Sequence, residues 1–140
     1  MIKVEFYKKE EINEKDIKYV VINAFYKEQI VVVRHKDRTT WEIPAGHKEE
    51  NETSLEAAKR ELFEETGAKA FELKFICTYS VNKGENKSYG DLYYADIIEL
   101  GKLPGYEIEE LKLVKELPEN LTYPLIQPLL SKRVNKFLGS

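Results

Sequence analysis

One stretch constrains this chain more than any other: Gly46 to Ala68, which reads GHKEENETSLEAAKRELFEETGA. It opens on a glycine turn, crosses a polar loop and continues as a helix. Thr53-Ser54-Leu55-Glu56 has the form of a capping box, in which a threonine and a glutamate three residues on satisfy backbone donors reciprocally. Gly67 suits the position just past the helix end. Side chains three and four residues apart are helical neighbours, so Glu61, Glu64 and Glu65 crowd onto one face. Like charges at that spacing each cost a helix about 0.2–0.5 kcal/mol. A divalent cation gives such a cluster a use. Magnesium takes oxygen ligands, keeps several waters, and is held by carboxylates together with substrate phosphates.

The stretch resembles the Nudix box of the Nudix hydrolases. That pattern is Gly, five residues, Glu, seven residues, Arg-Glu, a bulky aliphatic, any residue, Glu-Glu, any residue, Gly, a bulky aliphatic. Gly46, Glu52, Arg60, Glu61, Leu62, Glu64, Glu65 and Gly67 fall on their positions, and Ala68 is the one departure. The resemblance implies an α/β fold, a Nudix-type α/β/α sandwich with a mixed β-sheet. It implies metal-assisted hydrolysis of a pyrophosphate bond in a nucleoside diphosphate linked to another group. It also implies magnesium as cofactor, with manganese able to substitute. Glu61, Glu64 and Glu65 would hold the cations, and the carbonyl of Ala45, the residue before the box glycine, would add a ligand. Most relatives carry Gly-Gly where this chain has Ala45-Gly46, a mild change for a backbone ligand.

Arg60 allows two roles: pairing with Glu52 or a helix carboxylate to fix the loop, or contacting phosphate. The first is preferred, because the helix angle of Arg60 lies off the glutamate stripe. Glu52 likewise orients the loop rather than touching metal. The water-activating base would come from the box or from Tyr106 to Val114, which resembles the family's acidic loop. Glu107 is the first choice there and Glu110 the second, against the alternative of a solvated acidic loop.

Away from the box, Ile2, Val4 and Phe6 alternate with charged residues, as in an edge strand. Tyr19 to Tyr26 and Gln29 to Arg34 read as a hairpin around Lys27-Glu28. Trp41-Glu42-Ile43 reads as a short strand closed by a Pro44-Ala45-Gly46 turn. On the box helix, Leu55, Ala58 and Leu62 form the expected apolar stripe, with small Ala57 on the glutamate line leaving room for metal and phosphate. Phe71 to Val81 alternates as a long strand. Tyr89 to Leu100 is apolar on both sides and should lie centrally in a sheet. A short strand falls within Tyr106 to Glu116. A last helix is expected over Leu125 to Leu138, interrupted or restarted at Pro128, with Leu125, Leu129, Leu130, Val134 and Leu138 on or near one side.

At 140 residues the chain suits one domain over residues 1–140. Its 42% hydrophobic and 34% charged residues describe a globular chain, and a net charge of −3 argues against a broad basic surface for duplex nucleic acid. A small-molecule nucleotide needs only a local site. No apolar run approaches a membrane span. A lone Cys77 excludes an intrachain disulfide, and the N-terminus lacks a secretory core, so a cytoplasmic location is expected. Family members are often dimers; the resemblance admits a homodimer without specifying an interface.

Substrate selection is thinly encoded. Arg34, at a strand end, could reach a phosphate, with Arg38 a weaker candidate; surface charges are the alternative. Tyr79, Tyr89, Tyr93 and Tyr123 could stack on a base, although strand aromatics are more often core. Asn120 and Tyr123 precede the last helix; aligning the proline there puts Thr122 where a MutT-type base-reading asparagine would fall, with Asn120 two residues earlier, so specificity for an oxidised guanine is unsupported. His35 and His47 are expected to be solvent-exposed, and Cys77 to be a buried small hydrophobe. Marks of the ADP-ribose, diadenosine-polyphosphate and coenzyme A subgroups are absent. The chain is thus most similar to the MutT-like nucleoside triphosphate pyrophosphohydrolases. Hydrolysis of ADP-ribose, a dinucleotide or an RNA 5′ end is the alternative within the class. A catalytically inactive nucleotide sensor is the alternative outside it, although such domains usually break the box, which here keeps every carboxylate.

Overall fold

The computed structural model describes residues 1–139. Seven strands and two helices follow in the order β1 (Ile2–Tyr7), β2 (Ile17–Tyr26), β3 (Gln29–His35), β4 (Ala45–His47), α1 (Ser54–Thr66), β5 (Ala68–Lys83), β6 (Asn86–Leu100), β7 (Ile108–Val114) and α2 (Gln127–Phe137). The sheet order is β1-β5-β6-β2-β3-β7, with β4 paired to β2 beside this path. β2 runs parallel to β6 and every other pairing is antiparallel, so the sheet is mixed. β1 is an edge strand, and β6 lies between β5 and β2, as the sequence patterns predict.

Alternation along the strands separates two cores. Val20, Ile22 and Ala24 of β2 face α1, whose Ala57, Ala58 and Leu62 are fully buried against them. Val21 of β2 faces the other way, toward Leu130 and Val134 of α2. Burying a leucine such as Leu62 contributes about 1.5–3 kcal/mol. The result is an α/β/α sandwich.

The hairpin joining β2 and β3 turns at Lys27 and Glu28, both at positive φ (52° and 68°). The two strands pair over only Phe25–Ile30 and Tyr26–Gln29 and then diverge. β4 takes the edge that β3 vacates, matching Tyr19 to His47, Val20 to Gly46 and Val21 to Ala45. The expected strand and turn are therefore exchanged. Trp41 and Glu42 make isolated bridges to Leu121 and Val33, while Ala45–His47 is extended. The reason is that the Pro44 carbonyl accepts from the Ile22 amide at 2.8 Å, so the chain enters β4 already in register.

Two helix faces also differ from expectation. Leu55 is 43% exposed, and Ser54, Ala57, Ala58 and Leu62 carry the buried face instead. Ala57 packs in the core rather than beside the glutamates. The second helix starts at Gln127, with Pro128 in its first turn, where a missing N–H costs nothing. Its buried face is Gln127, Leu130, Ser131 and Val134, whereas Leu125, Leu129 and Leu138 are exposed. Gln127 fixes this rotation by accepting from the Ile43 amide at 2.7 Å.

Candidate active site

Helix α1 is set from its start. The Thr53 hydroxyl accepts from the Glu56 amide at 3.1 Å, and Glu56 accepts from the Thr53 amide at 2.8 Å. Glu14, in a 3-10 turn before β2, accepts from the Ser54 amide at 2.6 Å, and the Ser54 hydroxyl meets the Tyr93 hydroxyl at 2.7 Å. The far end closes at Gly67, at φ 79°, whose amide donates to the Phe63 carbonyl at 2.8 Å. Rotation and depth of the helix are thereby fixed, and with them the glutamate face.

That face opens on a cleft of about 280 Å³ lined by Glu61, Glu64, Glu65 and Arg60, with His47 and Glu49 from the loop and Tyr106 and Glu107 before β7. Arg60 is the hub. Its Nε and Nη2 donate to both Glu52 oxygens at 2.6 and 2.8 Å, and Nη2 also reaches the His47 carbonyl at 3.0 Å. Nη1 donates to Glu61 at 3.1 Å and to Glu64 at 3.4 Å. Arg60 thus ties the loop to the helix. The Arg60 hydrogen bond, ahead of any other cause, holds the Glu52 carboxyl below its ordinary value. Glu52 in turn accepts from the Glu49 amide at 2.8 Å.

Glu65 is buried and accepts from the Ala45 amide at 3.0 Å. Ala45 therefore stands against the glutamates through its N–H. Gly46 leaves space for Glu61: a Cβ built at Gly46 would lie 2.0 Å from the Glu61 carboxyl carbon. Gly46→Ala is expected to push Glu61 aside and lower turnover roughly 100-fold. Because the clash is with a side-chain end, the melting temperature should stay near that of the wild type. Unchanged turnover would show that the position of Glu61 does not matter.

Burial pushes the Glu61 carboxyl up to about 7 against the opposing pull of Arg60, and the Glu65 carboxyl up to about 9 against the Ala45 amide. Oxygen-only ligands of this kind suit a hard divalent cation, whose charge offsets the cost of burying carboxylates. Among the described residues no three acidic, histidine or cysteine side chains form a ready-made ligand cage. Arg60 stands between Glu61 and Glu64, so cation binding and Arg60 compete for the same oxygens.

The sign of the pH dependence follows. Both folded-state values exceed the unfolded carboxyl value of about 4.3, so the folded chain binds more protons between those limits. The stabilisation is complete below the unfolded value and is lost as pH rises through about 7 and about 9. Glu52 has the opposite sign, its contribution fading only as pH falls through its lowered value. In chelator, the melting temperature is expected to fall from pH 5.5 to pH 8.5. Added magnesium should raise it more at pH 8.5, because ligands must be deprotonated to bind. A flat or inverted profile would contradict this.

His35 corrects an expectation. It is not solvent-exposed: its side chain is 21% accessible, and its Nε2 lies 2.5 Å from Glu42 and 3.6 Å from Glu65. Its Nδ1 is 3.8 Å from Glu107. A register shift between Arg34 and His35, where β3 pairs β7, re-aims the ring. Glu42 is buried and also accepts from Arg38 at 3.0 and 3.1 Å. No short-range pattern marks this pair, because its partners come from three separate segments. His47 is exposed, as expected.

Glu107 lines the cleft, whereas Glu110 pairs with Arg34 at 3.3 Å. Arg34, Asn120 and Tyr123 lie outside the cleft lining. Arg34 also donates to the Arg38 carbonyl, and Asn120 to the Thr39 carbonyl at 3.2 Å. Tyr123 is 41% exposed. Tyr79, Tyr93 and Cys77 are buried in the core, and Tyr89 packs edge-on against Tyr7.

Sheet, glutamate-bearing helix and cleft define an α/β/α sandwich with a carboxylate-lined cleft on one helix face. The chain belongs to the NUDIX domain family, whose model matches residues 16–116. A Bacillus subtilis (strain 168) protein, YtkD, provisionally named an 8-oxo-dGTP diphosphatase, is 38% identical over 106 residues, 75% of this chain and 66% of that protein. The phosphatase NudJ of Escherichia coli (strain K12) is 45% identical over 56 residues, 40% of this chain and 37% of NudJ. The match thus spans about two thirds of the first relative and a little over a third of the second. Among solved structures, the Bacillus subtilis pyrophosphohydrolase BsRppH superposes with a TM-score of 0.79 at 28% identity, covering 96% of this chain and 90% of that one. The NUDIX domain of Shewanella oneidensis NrtR, solved with ADP ribose, shares the fold with a TM-score of 0.69 at 17% identity, covering 94% of each chain. Among the described residues no helix is long and apolar enough to cross a membrane.

Proposed function

We propose that this chain, acting as one domain, hydrolyses a pyrophosphate bond in a nucleotide, and that its substrate is a nucleoside triphosphate cut to monophosphate and pyrophosphate. The observation that carries this reading is the meeting of Glu61, Glu64 and Glu65 with the Arg60–Glu52 clamp in one cleft. Two of the relatives described above are named for the same bond chemistry, as a diphosphatase and a pyrophosphohydrolase.

Glu61, Glu64 and Glu65, with the Ala45 carbonyl, would hold magnesium, for which manganese can substitute. When bound, the cation neutralises phosphate charge and acidifies a water. The chain's own residues supply the rest. Arg60 holds the loop so that His47 and Glu49 face the cleft. Glu107, 81% exposed at the cleft rim, takes the proton of the attacking water. The water oxygen bonds to one phosphorus of the α–β bridge, the bond from that phosphorus to the bridging oxygen breaks, and the departing product, pyrophosphate or nucleoside monophosphate, keeps the electron pair. Arg34, Asn120 and Tyr123 are candidates for the nucleoside end.

A product panel tests the reading. The protein is incubated with magnesium and, separately, with nucleoside triphosphates including 8-oxo-dGTP, ADP-ribose, dinucleoside polyphosphates and 5′-triphosphorylated RNA. Monophosphate and pyrophosphate from a triphosphate are the expected products. Turnover of one of the other substrates instead would move the assignment within the family. Binding without any turnover would overturn the enzyme reading in favour of a sensor.

A further inference from the structure

Beside the carboxylate cleft lies a second groove, of about 470 Å³. Lys15, Lys18 and Lys48 line it, together with Tyr19. Lys15 comes from the 3-10 turn Glu14–Asp16, Lys18 from the start of β2, and Lys48 from just past β4. Backbone pairing holds the two walls: Tyr19 matches His47 across β2 and β4, and the Lys48 amide donates to the Lys18 carbonyl at 2.8 Å. The Tyr19 and His47 rings pack edge to face at 4.9 Å. His47 and Glu49 line both the groove and the cleft, so the two are continuous.

Glu49 and Glu50 also line the groove, leaving three cations against two anions. Among the described residues, none of the three lysines is in an ion pair. No carboxylate at contact distance among the described residues neutralises these three lysines, and lysine binds phosphate as a point charge. The cleft offers the reverse: carboxylates that require a cation before phosphate can approach. A phosphate chain crossing His47 from cleft to groove would pass from the carboxylates that would hold a cation to lysines outside any ion pair.

We propose that this groove holds the phosphate groups beyond the scissile bond, on the side away from the nucleoside, so that the chain favours nucleotides with a longer polyphosphate arm. The assignment deepens the pyrophosphohydrolase reading and rests on it for the direction of the arm. The groove as a polyphosphate site stands without that reading.

The test uses the full chain and a triple variant, Lys15→Gln, Lys18→Gln and Lys48→Gln, which keeps side-chain length and removes charge. Inorganic tripolyphosphate is titrated in by calorimetry in chelator. The wild type should bind with an affinity that falls with salt, and the triple variant at least 10-fold more weakly. Glu50→Lys should bind more tightly than the wild type. A matching melting temperature shows that the triple variant is folded; should it not fold, Lys18→Gln alone and Glu50→Lys carry the comparison. With magnesium, the ratio of kcat/KM for a nucleoside tetraphosphate to that for a diphosphate should fall at least 10-fold in the triple variant, while diphosphate turnover is unchanged. No tripolyphosphate binding by the wild type, equal binding by the variants, or equal losses on both substrates would overturn the proposal. Lysine-dependent binding in a chain that hydrolyses nothing would sink the hydrolase reading and leave the groove standing.

Discussion

Glu64→Gln is expected to lower kcat by about 1,000-fold or more while leaving the melting temperature within a few degrees of the wild type. Glu64 is 28% exposed and touches the rest of the protein through one long bond, 3.4 Å from Arg60 Nη1. Glutamine keeps the shape and an acceptor oxygen, so the helix loses little. What it loses is negative charge in the cleft where we propose that a divalent cation binds. The second readout is manganese affinity without substrate, followed by the paramagnetic resonance of free ion. Weaker manganese binding together with lost turnover places Glu64 among the ligands. Full activity, or activity that survives chelation in the wild type, would remove the metal mechanism.

Gly67→Ala should act on stability rather than chemistry. Gly67 sits at φ 79°, and a Cβ there would lie 2.3 Å from the Lys102 carbonyl oxygen. The left-handed conformation alone costs a non-glycine residue about 1–2 kcal/mol. Here the obstacle is backbone, held by the Gly101 amide donating to the Gly67 carbonyl at 2.9 Å, and it cannot swing away. A total loss of about 2–4 kcal/mol is expected, lowering the melting temperature by roughly 8–15 °C. Thermal unfolding followed by circular dichroism reads this directly. A shift under about 2 °C would mean the helix exit tolerates a side chain. The two variants separate the roles of one motif: the same glycine-to-glycine stretch carries a charge device and a folding device.

Much of this was legible in the residues. The capping box at Thr53 and Glu56, the glycine exit and the clustering of Glu61, Glu64 and Glu65 depend on contacts within a few positions, and helical geometry alone predicts them. The Arg60–Glu52 pairing was readable because both lie in one motif. The strands other than β4, and the central place of β6, followed from alternation and apolar runs; β4 was expected as a turn. The readings that failed share a cause. Leu55 looked like core by spacing, but helix rotation is set by Glu14 and Tyr93 holding Ser54, forty and thirty-nine residues away along the chain. Leu125, Leu129 and Leu138 looked like core, but Gln127 clamping Ile43 turned α2 so that Leu130 and Val134 went inward. His35 looked like a surface residue, because nothing near it in the chain shows that β7 and Glu42 surround it.

The sequence by itself determined the local make-up of the site: which carboxylates share a helix face, how that helix begins and ends, and which arginine ties down the loop. These are local facts, fixed by the 3.6-residue repeat and by residue type. The tertiary structure alone decided what surrounds that face. It brought His35 and Glu42 against Glu65 and placed Lys15, Lys18 and Lys48 around one groove. Those neighbours meet because β2 forks between β3 and β4, and the register of a strand fork is set by long-range backbone pairing that no short stretch of sequence encodes.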